Sequence, residues 1–334
     1  MRQIFLGVDA GNSKTVALAC LASGEVIGAG RSGCGDIYGV VDEPEAVEAV
    51  LSAVDAALGE AGADRSDVAA AAFRLAGVDW PEDEAFWDTA LASRWPALAK
   101  RSIANDGYAA IRCGEPSGVG VSVMAGTAAA IAARGPGGAE WEMGWWGQHA
   151  MGALGLMDEA LKGVYLAELG VGAATALAPA LLEYYHLANV SQLNHWFTRR
   201  HQSASQADRT GAARVVTAVA ARGDRVAMDI VDEQGARLAM YAQIAARKVG
   251  LLDSPGPVAV VLSGSVLMAE SSPVAAALLG HLREGLPGVV THSTTLPPVA
   301  GAALDALAEG GIEISRAVVD QIAATAPNRQ FFQT

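Results

Sequence analysis

The segment Ile4-Phe5-Leu6-Gly7-Val8-Asp9 runs into the turn Ala10-Gly11-Asn12-Ser13-Lys14 and comes out at once into a second β-rich run at 15–21. That order constrains the fold more than any other feature of the chain. A strand, a glycine-bearing turn and another strand make a hairpin. A Walker loop would need a helix after the turn and glycines where Val8 and Ser13 stand. Ser23-Gly24 turns the chain into a third run at 25–30, which predicts a three-stranded meander. Pro44 then opens a helix with Val47, Val50, Leu51, Val54 and Leu58 on one face. A strand near 68–75, a helix carrying Trp87, Leu91 and Trp95, and a strand at 101–105 follow. A meander followed by alternating helices and strands predicts an α/β fold with a mixed sheet covered by helices.

The plan then starts again. Residues 119–124 and 128–133 read as a second hairpin around Ala125-Gly126-Thr127, the stretch 150–250 is mostly helical, and strands near 258–263 and 288–291 each lead into a helix. At 334 residues the chain is long enough for two lobes with a cleft between them. The boundary is placed near Cys113 to Gly118, giving lobes of 1–113 and 114–312.

Composition narrows the function classes. A formal charge of −13 leaves no broad positive surface for a nucleic-acid backbone. The apolar stretch from Leu169 to Leu182 contains a proline and is shorter than the roughly 20 residues a bilayer requires, so no membrane partner is expected. The opening apolar run meets Asp9 too soon for a secretory signal and is read as a strand. The cysteines Cys20, Cys34 and Cys113 are odd in number and widely spaced, as in a reducing, cytoplasmic setting. His186, His195 and His201 have no metal-ligand spacing.

Several loops have the composition that phosphate chemistry demands. In Asp9 to Thr15, Gly11 allows a phosphate close to the backbone, Asn12, Ser13, Lys14 and Thr15 supply donors, and Asp9 supplies an acid for magnesium. The same residues suit a plain hairpin turn, and the loop alone does not decide between the two. Gly126-Thr127 would complete a phosphate clamp across the cleft, although in isolation it reads better as an ordinary turn. Ser263-Gly264-Ser265 opens a buried strand through small residues, which lets a base and ribose pack against backbone. At the carboxyl end of an apolar strand, Asn105-Asp106 delivers an acid where ligands gather in open sheets. Asp106 there either acts as a general base or caps the helix that follows.

Together these segments resemble the BadF/BadG/BcrA/BcrD ATPase family and, within it, N-acetylglucosamine kinases of the actin/hexokinase/Hsp70 superfamily. Leu75-Ala76-Gly77-Val78-Asp79, Trp146-Gly147 and Pro297-Pro298-Val299-Ala300-Gly301-Ala302 carry further likeness. The resemblance implies two ribonuclease-H-like lobes closing on ATP–magnesium and an amino or N-acetyl sugar, with residues 313–334 returning to the first lobe. It implies γ-phosphate transfer to a sugar hydroxyl, with Asp106 as base, Asp9 holding the metal through water, and Gly11 to Thr15 as the phosphate cradle. Asp36, Gly77, Asp79, Asn105, Trp146 and Gly147 would line the sugar pocket, and a homodimer is expected by the same likeness.

The chain departs from the family pattern twice. The second loop continues Gly126-Thr127-Ala128-Ala129 where glycine and serine are usual, and Gly152-Ala153-Leu154-Gly155-Leu156 stands where an aspartate–glutamate pair is usual. A non-catalytic ATP- or sugar-binding protein is therefore the alternative reading. An activator ATPase with an iron–sulfur cluster fits less well, because the cysteines form no cluster pattern.

Overall fold

The structure, a computed structural model, describes residues 3–332. The chain opens with β1 (Ile4–Ala10), β2 (Thr15–Cys20), β3 (Val26–Ser32), α1 (Glu43–Glu60), β4 (Val68–Leu75), α2 (Pro81–Arg94), β5 (Arg101–Asn105) and the short α3 (Ile111–Gly114). It continues with β6 (Gly120–Ala125), β7 (Ala129–Arg134) and β8 (Glu140–Glu142). The helices α4 (Gly152–Glu168), α5 (Leu177–Tyr185), α6 (Val190–Thr198), α7 (Gln206–Gly211), α8 (Ala213–Ala221) and α9 (Arg225–Lys248) follow. Last come β9 (Ala259–Ser263), α10 (Pro273–Gly285), β10 (Val290–Ser293), α11 (Pro298–Glu309) and α12 (Arg316–Thr325).

These strands form two five-stranded sheets, ordered β3-β2-β1-β4-β5 and β10-β9-β6-β7-β8. In each, an antiparallel three-stranded meander is extended by two parallel strands on the side of its first strand. The two halves therefore repeat one plan, although β8 is too short for the sequence pattern to have marked it. Parallel strands need covered faces, and β1 accordingly buries residues on both of its faces.

On one face of the first sheet lies α1, whose side chains join Ile4, Leu6, Val8 and Phe73 in a core. Glycines set the approach: a Cβ at Gly28 or Gly30 would strike the backbone of Ala57 or Ala53 in α1. The opposite face is covered by α11, where Gly7 lets β1 lie against the Ala302–Ala303 backbone and Val299, Ala303 and Leu307 pack with Phe5, Leu18 and Ala72. The return to the first sheet thus begins at Pro298, earlier than the 313 expected from sequence. The helix is buried on all sides from Val299 to Leu307, with Asp305 the one charged residue in that stretch. Around the second sheet, α9 and α10 join β6, β7 and β9 in a larger core that also takes α4, α5, α6 and α8. Among the described residues no helix is long and apolar enough to cross a membrane.

Candidate functional site

The carboxyl ends of β4 and β5 face the turns of the second sheet across a cavity of about 410 Å3. Ala76, Gly77, Asp79, Asn105 and Asp106 line it from the first sheet; Gly126, Thr127, Ala129, Met143, Gly144 and Gly264 line it from the second. Five residues expected from sequence at the chemistry and sugar side, Gly77, Asp79, Asn105, Gly126 and Thr127, thus meet Asp106 at one opening.

The local structure fixes Asp106 through its neighbour. Asn105 ends β5, its side-chain oxygen accepts from the Gly107 amide at 2.8 Å, and its amide donates to Asp79 at 2.8 Å. Asn105 is therefore the residue that caps the turn, which leaves the Asp106 carboxylate free of that role. Burial, with Asp79 and Asp36 nearby, pushes Asp106 up to about 6. Asp9, at the end of β1, is pushed up to about 7 by burial and by Asp106, with Lys14 opposing. Asp79 is raised as well, chiefly by burial and Asp83. Carboxylates crowded in this way hold negative charge that the protein itself does not neutralise, and their chemistry fits a bound cation such as magnesium.

The first loop is a tight turn in which the Gly11 amide donates to the Lys14 carbonyl at 2.9 Å and the Gly35 amide donates to the Gly11 carbonyl at 3.1 Å. The Gly11 amide is consequently already committed. Asn12 and Ser13 are exposed, and Asn12 also donates to Asp36 at 3.3 Å. Thr15 departs from expectation: it is buried and its hydroxyl donates to the Gly33 carbonyl at 3.0 Å, so the hydroxyl serves the fold rather than an open cradle. The Lys14 ammonium donates to the Phe332 carbonyl of the C-terminal turn.

In the second loop Gly126 has open space around its Cα, while its carbonyl accepts from the Ala153 amide at 2.9 Å. Gly264, at φ +88°, lets the third segment touch the Ala125 backbone, an approach that a Cβ would block. Ser263 is buried and its hydroxyl has no partner. Ser265 lines two further cavities. One, of about 390 Å3, is shared with Ser263, Thr294 and Arg329. The other, of about 360 Å3, is walled by Thr210, Gly211, Arg214 and Glu270. Those last residues carry no motif and were not visible in the sequence.

Two of the residues expected on the sugar side stand apart from the cavity lining. Trp146 is exposed and Gly147 stands outside the cavity lining, because the chain turns at Gly144 and presents Met143 and Gly144 instead. Trp145, not Trp146, lies beside Asp79 and forms an edge-to-face pair with Tyr38 at 6.3 Å. Asp36 sits just behind Gly77, where a Cβ on that glycine would meet its carboxylate, and it accepts from the Tyr38 amide at 2.9 Å.

Two covered five-stranded sheets of one plan, meeting at a cleft lined by their turns, define a two-lobed α/β protein of the actin-like ATPase fold. The chain belongs to the BadF/BadG/BcrA/BcrD ATPase family, whose model matches residues 6–306. A candidate N-acetylglucosamine kinase structure from Chromobacterium violaceum is similar at 24% identity and a TM-score of 0.63, covering 92% of this chain and 99% of that one. A second, from Porphyromonas gingivalis, matches at 17% identity and 0.60, covering 90% and 97%. A glucokinase of the ROK family from Streptomyces griseus, solved with glucose and AMPPNP, matches at 17% and 0.54, covering 94% and 99%. No curated protein matches the chain in sequence.

Proposed function

We propose that the protein transfers the γ-phosphate of ATP to a hydroxyl of an amino or N-acetyl sugar. The observation that carries this reading is the single cavity at which Asp106 and Asp79 of the first sheet oppose Gly126, Thr127 and Gly264 of the second. The solved relatives include proteins named for N-acetylglucosamine and one that holds glucose with an ATP analogue, which supports the substrate class. The two lobes follow the division near Cys113 to Gly118, with Pro298–Glu309 counted with the first.

ATP–magnesium, when bound, supplies the phosphoryl group and neutralises its charge. The residues present fit that group: the exposed Asn12 and Ser13 for phosphate oxygens, Gly126 and Thr127 opposite them, Asp9 for metal-bound water, and the unpartnered Ser263 hydroxyl with Ser265 toward the nucleoside. Asp106 takes the proton of the acceptor hydroxyl onto its carboxylate. Asn105 and Asp79 hold the strand end that aims it, and the apolar wall of Ala129, Ala130 and Ile131 keeps bulk water away from the transfer.

The test is ADP release with ATP–magnesium against amino, N-acetyl and neutral sugars, run beside Asp106→Asn. Sugar-dependent release that the variant loses supports the kinase. ATP binding with no release on any sugar would leave the non-catalytic reading in its place.

A further inference from the structure

We propose that the junction of the two sheets carries a second binding site, for a small phosphate-bearing anion, in a cavity that shares no residue with the cleft. The proposal stands independently of the kinase reading.

This cavity has a volume of about 330 Å3. That is the small end of the range for ligand sites, with room for a phosphate on a short body. Its walls come from both halves of the molecule: Arg74 of β4, Ser102 and Ala104 of β5, Arg112 of α3 and Asp305 of α11 on the first side, and Arg134 of β7 on the second. Ser102 and Ala104 precede Asn105-Asp106 on the same strand, and Arg134 follows Ala129 to Ile131, so two strands that serve the cleft at one point serve this cavity at another.

The bonds inside leave donors over and no buried acceptor. Asp305 Oδ2 accepts from Arg74 Nε at 2.8 Å and lies 2.6 Å from Arg74 Nη2, while Oδ1 accepts from Arg112 Nε at 2.6 Å and Arg134 Nη1 at 3.2 Å. Both terminal nitrogens of Arg74 donate to the Ser102 hydroxyl at 3.2 Å, which turns that hydroxyl's own hydrogen away from Arg74. Arg112 Nη1 donates to the Pro116 carbonyl at 2.6 Å, and Arg134 Nε donates to Glu140 at 2.7 Å. Among the described residues, Nη2 of Arg112, Nη2 of Arg134 and the Ser102 hydrogen have no acceptor, and none of these atoms is sealed from solvent.

The charges point to the same ligand. Three guanidiniums share one buried carboxylate, Asp305. The other two acids at the cavity stand toward water: Glu140 is 39% exposed, and Glu309 lies at the exposed end of α11. The interior therefore keeps an excess of positive charge although the chain as a whole carries −13. A cation or an ammonium would meet only donors there. A carboxylate has the charge but two oxygens, whereas a phosphate ester offers three to the Ser102 hydroxyl and the two guanidinium nitrogens, and the planar fork of arginine suits it. An anion held by Ser102 and Arg134 would bridge the two sheets.

The experiment is calorimetric titration of the whole chain with inorganic phosphate, glucose 6-phosphate and acetate, with and without saturating AMPPNP–magnesium, beside Ser102→Ala and Arg134→Lys. We expect a Kd below about 1 mM for at least one phosphate compound, binding of acetate at least about tenfold weaker, and little change when the nucleotide is present. Ser102→Ala should weaken phosphate binding by about 10- to 100-fold, the worth of a hydrogen bond to a charged group. Arg134→Lys keeps the charge beside Glu140 and Asp305 but loses the fork, and should weaken it similarly. Melting curves establish that each variant folds; should Ser102→Ala fail to fold, Arg134→Lys alone decides. Tighter binding of glucose 6-phosphate than of inorganic phosphate makes the occupant an ester, and equal binding makes it free phosphate; both uphold the site. Lack of binding, acetate binding as well as phosphate, folded variants that bind as the wild type does, or displacement by AMPPNP–magnesium, which would put the anion in the cleft, each overturns the proposal.

Discussion

The Asp305 carboxylate of α11 stands 2.6 Å from a guanidinium nitrogen of Arg74 in β4, and both side chains are almost wholly removed from water. Arg112 reaches its other oxygen at 2.6 Å, and Arg134 of the second sheet reaches it at 3.2 Å. One carboxylate therefore ties both sheets together. Burial alone would raise its pKa, but Arg74, Arg134 and Arg112 together hold it below the ordinary carboxylate range.

Asp305→Ala should destabilise the protein by roughly 3–5 kcal/mol, because it leaves Arg74 buried and unpaired. Urea unfolding measures this; a loss below about 1 kcal/mol, the value of an exposed pair, would show that the network contributes little. Since the folded pKa is depressed, the contribution is present above the ordinary value of 3.8 and is lost as pH falls through the lower folded value.

Asp106→Asn should lower sugar-dependent kcat by about 10²- to 10⁴-fold, the usual worth of a general base, while ATP still binds. In the wild type, kcat/KM should rise with pH through about 6 as the carboxylate ionises. An unchanged profile in the variant would assign the proton transfer elsewhere.

Asp9 makes the opposite contribution to stability. Its folded pKa is raised from 3.8 to about 7, so the folded protein keeps a proton that the unfolded chain has lost, and this stability disappears as pH rises through about 7. Asp9→Asn should accordingly melt higher than the wild type at about pH 8 and level with it at about pH 4, while losing the stabilisation that magnesium adds to bound nucleotide. Thermal melts at the two pH values, with and without ATP–magnesium, check both parts.

Gly264→Ala should cost more than about 2 kcal/mol, combining the strain of positive φ with a clash against the Ala125 backbone. Nucleotide binding should fall with it. A variant that binds ATP normally in calorimetry would show that Ser263–Ser265 does not position the nucleotide.

The sequence pattern revealed most of the sheet framework, since the meander at Ile4 to Ser32, its repeat at Gly120 to Arg134 and the parallel strands are carried by local periodicity and turn residues. Asn105-Asp106 and Gly126-Thr127 were likewise visible, because glycines and acids at strand ends have a local chemical reason to be there. Tyr38 and the walls of the Ser265 cavity were not. Tyr38 stands in no motif, and its pairing with Trp145 exists only once the chain has folded. Thr15 shows the converse: a motif position fixes the backbone, but which way the side chain faces depends on neighbours such as Gly33.

The crossing of β1 and α11 at Gly7 also sets an order of events during synthesis. Phe5, Val16, Leu18 and Ala72 emerge early, yet the face they form is completed by Val299, Ala303, Leu304 and Leu307, near the other end of the chain. The first half therefore waits on the ribosome with an uncovered apolar face while the β6 to β10 half, whose core is drawn almost entirely from residues 121–286, becomes able to fold. Release of the last helices closes that face, so a truncation before Pro298 would leave the N-terminal half dependent on chaperones.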